Sequence, residues 1–324
     1  MRRPLITAFA ATAAAVVLAG CGTTESASTG ADAKSGRITL TDATGAKVTL
    51  DGPAKKVVGT EWNVVENLVS LGVEPVGVAD VKGYKTWNSA AKLTNSPKDI
   101  GTRGEPSMDT IASLAPDLVV ATTDLPSSAV KQLRKIAPVV EVRSADASDQ
   151  LGQMDENLDL IAEATGKEKR ADTVKKRFTA QLASSRKAVQ KAGLDGTKVA
   201  FADGYVASNQ VTIRPYTRRS LIGAVNEKLG LENAWKAKGD KSYGLASTDV
   251  EGLTDLGDVQ FAYIADEQDS RDPFAKDLKD NRTWKSLPFV KAGDVHRLPT
   301  GIWMFGGHAS MGAYADALVD TLEK

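Results

Sequence analysis

From Val57 onward, short apolar runs alternate with segments whose apolar residues recur three or four apart. Val57-Val58-Gly59 reads as a strand, and Val64, Val65, Leu68 and Val69 then share one helix face. Pro75 to Ala79 is the next strand. Met108, Ile111 and Leu114 mark a helix before a strand at Leu118 to Ala121, and Val130, Leu133 and Ile136 mark another before Val139 to Val142. Mainly apolar strands separated by amphipathic helices predict a parallel sheet covered on both faces. Upstream, Arg37 to Leu50 is rich in Thr and Val around Thr44-Gly45 and predicts a hairpin.

The alternation stops between Asp149 and Gly193. Met154, Leu158, Ile161 and Ala162, then Val174, Phe178, Leu182 and Val189, keep helical spacing, with an interruption only near Thr165-Gly166. Such a stretch between two α/β halves reads as a connecting helix; a pair of surface helices on one half is the alternative. Strands resume at Val199 to Ala202 and Val211 to Ile213. A helix at Ser220 to Leu229 stops at Gly230, a natural C-cap, and Phe261 to Ala265 and Val295 to Leu298 follow before a closing helix at Gly312 to Leu322. The expected fold is α/β, with two lobes of mainly parallel sheet flanked by helices. Residues 37–148 form the first lobe, 149–193 the connecting helix and 194–324 the second lobe. A stiff connection allows small opening motions and leaves a ligand cleft between the lobes.

The first 36 residues follow different rules. Arg2 and Arg3 precede an uncharged apolar run from Leu5 to Leu18, too short to span a bilayer comfortably and so read as a signal peptide over residues 1–20. Leu18-Ala19-Gly20-Cys21 resembles a bacterial lipoprotein box, in which Cys21, the only cysteine, becomes the lipidated first residue. Residues 21–36 lack an apolar period and read as a flexible tether. The expected location is the extracytoplasmic side of a bacterial cell membrane, held by lipid.

Charge then narrows the function classes. Loss of Arg2 and Arg3 with the signal lowers the 41 Lys and Arg to 39, against 41 Asp and Glu, so the mature chain is close to neutral. That balance argues against a nucleic-acid partner. With Cys21 lipidated no thiolate remains for metal binding, and the two histidines, His296 and His308, lack ligand spacing. Neither G-x-S-x-G nor H-E-x-x-H occurs, so no metal or catalytic residue is assigned and an enzyme is disfavoured.

Several segments carry a family resemblance. These are VVGTEWNVVENLVSLGVEPVGVAD at 57–80, Tyr84-Lys85-Thr86-Trp87, and DIGTRGEPSMDTIASLAPDLVV at 99–120. Asn233-Ala234-Trp235 before Tyr243-Gly244, and PTGIWMFGG at 299–307, complete the set. Together they resemble the solute-binding proteins of iron–siderophore ABC importers, most closely the ferrichrome-type hydroxamate-binding branch. The resemblance implies a ferric siderophore as ligand, with iron already chelated and no protein cofactor. It implies an ABC permease as the second partner, and the chain is expected to act as a monomer. A ferric trishydroxamate offers six oxygens to a hard cation, so the protein need supply only N–H donors and an aromatic wall.

By resemblance, Arg103 is the principal donor, and Trp62, Trp87, Trp235, Tyr243, Trp303 and Phe305 form the wall. Arg103 paired with Glu105 in a solvated loop is the alternative. Phe305 stands where the closest relatives carry a tyrosine, and Ala121 to Ser128 lacks their aromatic, offering Leu125. Arg214, Arg218 and Arg219 match no family role; as a cluster before a helix N-terminus they would favour a more anionic ferric complex, such as one containing citrate or another carboxylate. Glu105 and Glu251, one per lobe, resemble acidic docking feet for the permease, although Thr248 and Glu251 also have capping-box spacing. A haem- or corrinoid-binding protein of the same architecture is the nearest rival.

Overall fold

The computed structural model describes residues 36–208, 210–265 and 272–324. The signal segment, Cys21 and the tether through Ser35 lie outside the described residues. The chain enters through a hairpin, β1 (Ile38–Thr41) and β2 (Lys47–Leu50), turned at Gly45. Five short strands and four helices follow in alternation: β3 (Val57–Gly59), α1 (Trp62–Ser70), β4 (Gly77–Val78), α2 (Val81–Trp87), β5 (Lys98–Asp99), α3 (Met108–Leu114), β6 (Leu118–Thr122), α4 (Ser127–Leu133) and β7 (Val139–Val142). They form one parallel sheet in the order β5-β4-β3-β6-β7. The strands β3, β6 and β7 are buried throughout because helices cover both faces, in keeping with their mainly apolar residues; the one carboxylate among them, Glu141 of β7, pairs with Arg134 at 2.7 Å.

The segment 149–193 is two helices rather than one. Asp149 caps α5 (Gln150–Thr165) by accepting from the Gly152 amide, and Gly166, at φ 66°, ends it in the left-handed conformation that glycine adopts without strain. α6 (Glu168–Lys191) then runs for 24 residues, about 36 Å at the helical rise. It buries only a thin stripe, Ala171, Phe178, Ser185 and Val189. α5 packs on α1 and β1 and also on the Leu221–Leu229 helix of the second lobe, while α6 packs on that helix and on the closing helix His308–Leu322.

That lobe contains β8 (Lys198–Ala207), β9 (Gln210–Pro215), α7 (Leu221–Leu229), β10 (Glu232–Asn233), β11 (Gln260–Ile264), α8 (Arg282–Ser286), α9 (Pro288–Ala292), β12 (Val295–Leu298) and α10 (His308–Leu322). Its sheet order is β10-β8-β11-β12, all parallel, with β9 folded back antiparallel on β8. Ser220 caps α7 and Gly230, at φ 82°, terminates it. Each lobe has its own core. A further cluster is shared: Trp62, Val65 and Tyr84 of the first lobe meet Phe201, Tyr216, Met311 and Tyr314 of the second. Apolar packing across the interface, rather than a loose linker, therefore sets how the lobes face each other.

Candidate functional site

In the first sheet the strand order reverses between β3 and β6, and a crevice opens beyond their C-terminal ends. Glu61 leaves β3 there and Thr122 ends β6. Glu61, Asn63, Arg103 and Thr122 of the first lobe face Arg214, Tyr243, Leu245, Trp303 and Phe305 of the second across an open cleft of ≈ 290 Å³. That volume is at the lower end of the range of small-molecule sites.

Arg103, in the loop after β5, is held on three sides. Its Nη1 donates to Glu61 Oε1 at 2.9 Å, and its guanidinium carbon lies 4.1 Å from the Trp62 ring centroid and 5.1 Å from that of Trp303. The same Glu61 oxygen accepts the Trp62 amide at 2.8 Å, so the residue that starts α1 also aims the arginine. Side-chain exposures of 36% for Arg103 and 21% for Glu61 leave the pair reachable from solvent. Glu105, the expected alternative partner, makes no contact with Arg103; its amide bonds Thr102 Oγ1 and its carboxylate is exposed.

The aromatic wall is continuous. Trp62 and Trp303 meet edge to face at 4.7 Å, Trp303 meets Phe305 at 5.1 Å, and Phe305 meets Tyr243 at 5.4 Å and Tyr216 at 5.7 Å. Edge and tilted geometries are those aromatic rings prefer. Trp62 is almost wholly buried and donates its Nε1 to the Ala79 carbonyl, so it forms the support beneath Arg103. Trp87, half-buried at the end of α2, backs Trp303 at 6.4 Å. The Tyr243 hydroxyl donates to Asp124 of the opposite lobe; burial, then this carboxylate, pushes its pKa well above the usual phenol value.

Three expected ligand contacts lie elsewhere. Trp235 packs in the core of the second lobe and donates Nε1 to the Phe201 carbonyl at 2.8 Å, because its segment follows β10 along the sheet rather than the cleft. Arg218 pairs with Glu227 on α7 and is 76% exposed. Arg219 donates to the Ala147 carbonyl at 2.8 Å, and both arginines border a separate surface hollow. Only Arg214 of that group reaches the cleft. It sits on β9 opposite Asp203 of β8 in the strand register and donates to it through Nε at 2.8 Å and through Nη2. Burial works against its charge, but the Asp203 carboxylate outweighs that and raises its pKa. Its guanidinium lies 5.4 Å from the Phe305 centroid. Leu125 is buried in the first lobe and adds nothing to the wall.

Glu251 is exposed at the first position of a five-residue 3-10 turn. The expected capping box is not formed: Asp249, not Thr248, accepts the Gly252 amide, and Thr248 is instead bridged to Ile213. His296 bonds Gln260 and His308 bonds Asp155, each away from the cleft, and among the described residues no group of three His, Cys, Asp or Glu is placed to hold a metal.

The profile of the periplasmic binding protein family matches residues 57–300, a span that contains both sheets and most of the cleft residues. The chain belongs to that family. Periplasmic binding proteins bind solutes rather than transform them, and three relatives illustrate the range. The Fe(3+)-citrate-binding protein YfmC of Bacillus subtilis is 30% identical over 307 residues, covering 90% of this chain and 87% of YfmC. YfiY of the same organism, named "Probable siderophore-binding lipoprotein", is 26% identical and covers 100% of this chain and 98% of its own. The crystal structure of FhuD from Vibrio cholerae bound to Fe3+-Desferal superposes with a TM-score of 0.74 at 26% identity, covering 83% of this chain and 98% of that one. As in that periplasmic binding protein, parallel sheets flanked by helices form the two lobes. Among the described residues no helix is long and apolar enough to cross a membrane.

Proposed function

We propose that this protein captures a ferric siderophore of the trishydroxamate class outside the cell and delivers it to the permease of an ABC importer. The observation that carries the reading is Arg103, a guanidinium stacked on Trp62 and Trp303 and presented at the mouth of an aromatic cleft. A trishydroxamate complex buries its iron among six oxygens and shows an apolar skirt, so it needs such a donor and such a wall. The likeness to the Desferal-bound FhuD supports the same class. Cys21 would anchor the mature chain by lipid, in keeping with the lipoprotein name of YfiY. Glu105 and Glu251, exposed on separate lobes, would meet the permease.

A ferric carboxylate complex is the second reading, favoured by Arg214 as a second guanidinium in the cleft and by the name of YfmC. Titrations that follow quenching of tryptophan fluorescence separate the two. Ferric trishydroxamates are expected to bind more tightly than ferric citrate or a ferric triscatecholate; the opposite order supports the carboxylate reading.

A further inference from the structure

Among the described residues, six formally charged groups border the cleft or hold its lining residues, and the carboxylates among them outnumber the guanidiniums. Arg103 and Arg214 carry positive charge. Glu61, Asp203, Asp124 and Asp240 carry negative charge, and each is fixed in place; Asp240 accepts the Tyr243 amide at 2.7 Å and the Leu245 amide at 3.0 Å. Glu61 Oε1 accepts from Arg103 at 2.9 Å and from the Trp62 amide at 2.8 Å. Asp203 receives two bonds from Arg214 and a third from the Tyr216 hydroxyl at 3.1 Å. Asp124 receives the Tyr243 hydroxyl. With two or three donors holding each of the first two, neither carboxylate is free to swing aside when a ligand arrives.

Each guanidinium has further N–H groups to offer, since five are available and only one or two are used within these pairs. A neutral hydroxamate oxygen can therefore still be bound. What the guanidiniums lack is uncompensated charge: Glu61 balances Arg103, Asp203 balances Arg214, and Asp124 and Asp240 leave the group two negative charges in excess. An anionic complex entering here meets carboxylates at close range, and among the described residues lining the cleft both cations are already paired, in a cleft whose apolar walls screen poorly.

We infer that the cleft selects its ligand by charge: it accepts neutral and cationic ferric trishydroxamates and rejects anionic complexes, and Glu61, Asp203 and Asp124 set that selection. The inference rests on the siderophore reading of the cleft and narrows it. It also separates this chain from a ferric-citrate binder, whose ligand is anionic, and assigns Arg214 a structural partner rather than a recruiting role.

Three probes share one iron core and differ only in a remote charge: the ferric complexes of desferrioxamine B, with its pendant ammonium; of the N-acetylated form, which is neutral; and of the N-succinylated form, which ends in a carboxylate. Fluorescence titration of the wild-type protein at low ionic strength is expected to rank them in that order, with a loss on the order of tenfold per unit of charge. The ranking should compress in high salt. Glu61→Gln and Asp124→Asn keep an acceptor oxygen for their partners, and each should narrow the gap between the cationic and the anionic probe. Equal or reversed affinities in the wild type would overturn charge selection while leaving the siderophore reading intact. A ranking that neither variant changes would overturn the assignment to these carboxylates. Binding of none of the three would overturn the trishydroxamate reading itself.

Discussion

The hydroxyl of Tyr243 on the second lobe donates to the carboxylate of Asp124 on the first, closing one side of the cleft with a bond between residues 119 apart in sequence. Asp124 is exposed and Tyr243 half-buried, so the bond adds little to global stability. Its position matters more, because a ligand must pass a cleft whose two walls it ties together. Tyr243→Phe keeps the ring against Phe305 and removes only the hydroxyl. The variant should lose under about 1 kcal/mol of stability but release a bound ferric complex several-fold faster in stopped-flow fluorescence. An unchanged release rate would show that this bond does not govern opening.

A second link between the lobes is buried. Glu66 of α1, fully inaccessible, accepts from the Ser310 amide at 2.8 Å and the Ser310 hydroxyl at 2.7 Å on α10. Burial pushes its carboxyl above the ordinary range, and the bonds from Ser310 and Gly307 and the nearby His308 only partly oppose this. A carboxyl with a raised folded-state pKa binds its proton more tightly when folded. Its contribution to stability is therefore complete below the unfolded pKa, near about 4.3, and is lost as pH rises through the folded value. Glu66→Gln mimics the protonated form. Thermal melts across about pH 4 to 8 should show the variant gaining on the wild type as pH rises. Parallel curves would mean that Glu66 keeps the same proton affinity in both states.

The proposed docking role is separable from capture. Glu105 and Glu251 lie outside the aromatic cleft and bond to none of its lining residues. Replacing both by Gln should leave the dissociation constant for a ferric trishydroxamate unchanged while uptake in cells falls. Replacement by Arg should be worse, if arginines of the permease are the partners. Because no capping box forms around Glu251, Glu251→Gln and Glu251→Ala should have similar melting temperatures. Normal uptake by the double Arg variant would end the docking proposal.

How far the sequence led can be judged from individual residues. Apolar runs such as Leu118 to Thr122 and Val139 to Val142 are buried strands, and Ser220 and Gly230 bracket α7, because local rules of periodicity and capping decide those elements. Arg103 was legible only through resemblance, and Glu61 beside it was not: the pair spans 42 positions and follows no local spacing. Arg214, Arg218 and Arg219 look alike in sequence. Strand register alone distinguishes them, since β9 pairs Arg214 with Asp203 while the other two fall in the turn before α7. Trp235 looked like a wall residue because its segment matched, yet its Nε1 has a backbone partner inside the second lobe. The short strands β5 and β10, two residues each, carry too little pattern to be read, and neighbouring strands recruit them, whereas β4 lies inside the expected apolar run Pro75 to Ala79.

A paired titration of wild type and Arg103→Ala with the same ferric complex decides whether Arg103 holds a ferric trishydroxamate against the Trp62–Trp303 wall. Loss of a charge-assisted hydrogen bond is worth about 1.5–3 kcal/mol, so affinity should fall about ten- to a hundredfold with the circular dichroism spectrum unchanged. Wild-type affinity in a folded Arg103→Ala protein would contradict the account and place the principal donor elsewhere in the cleft.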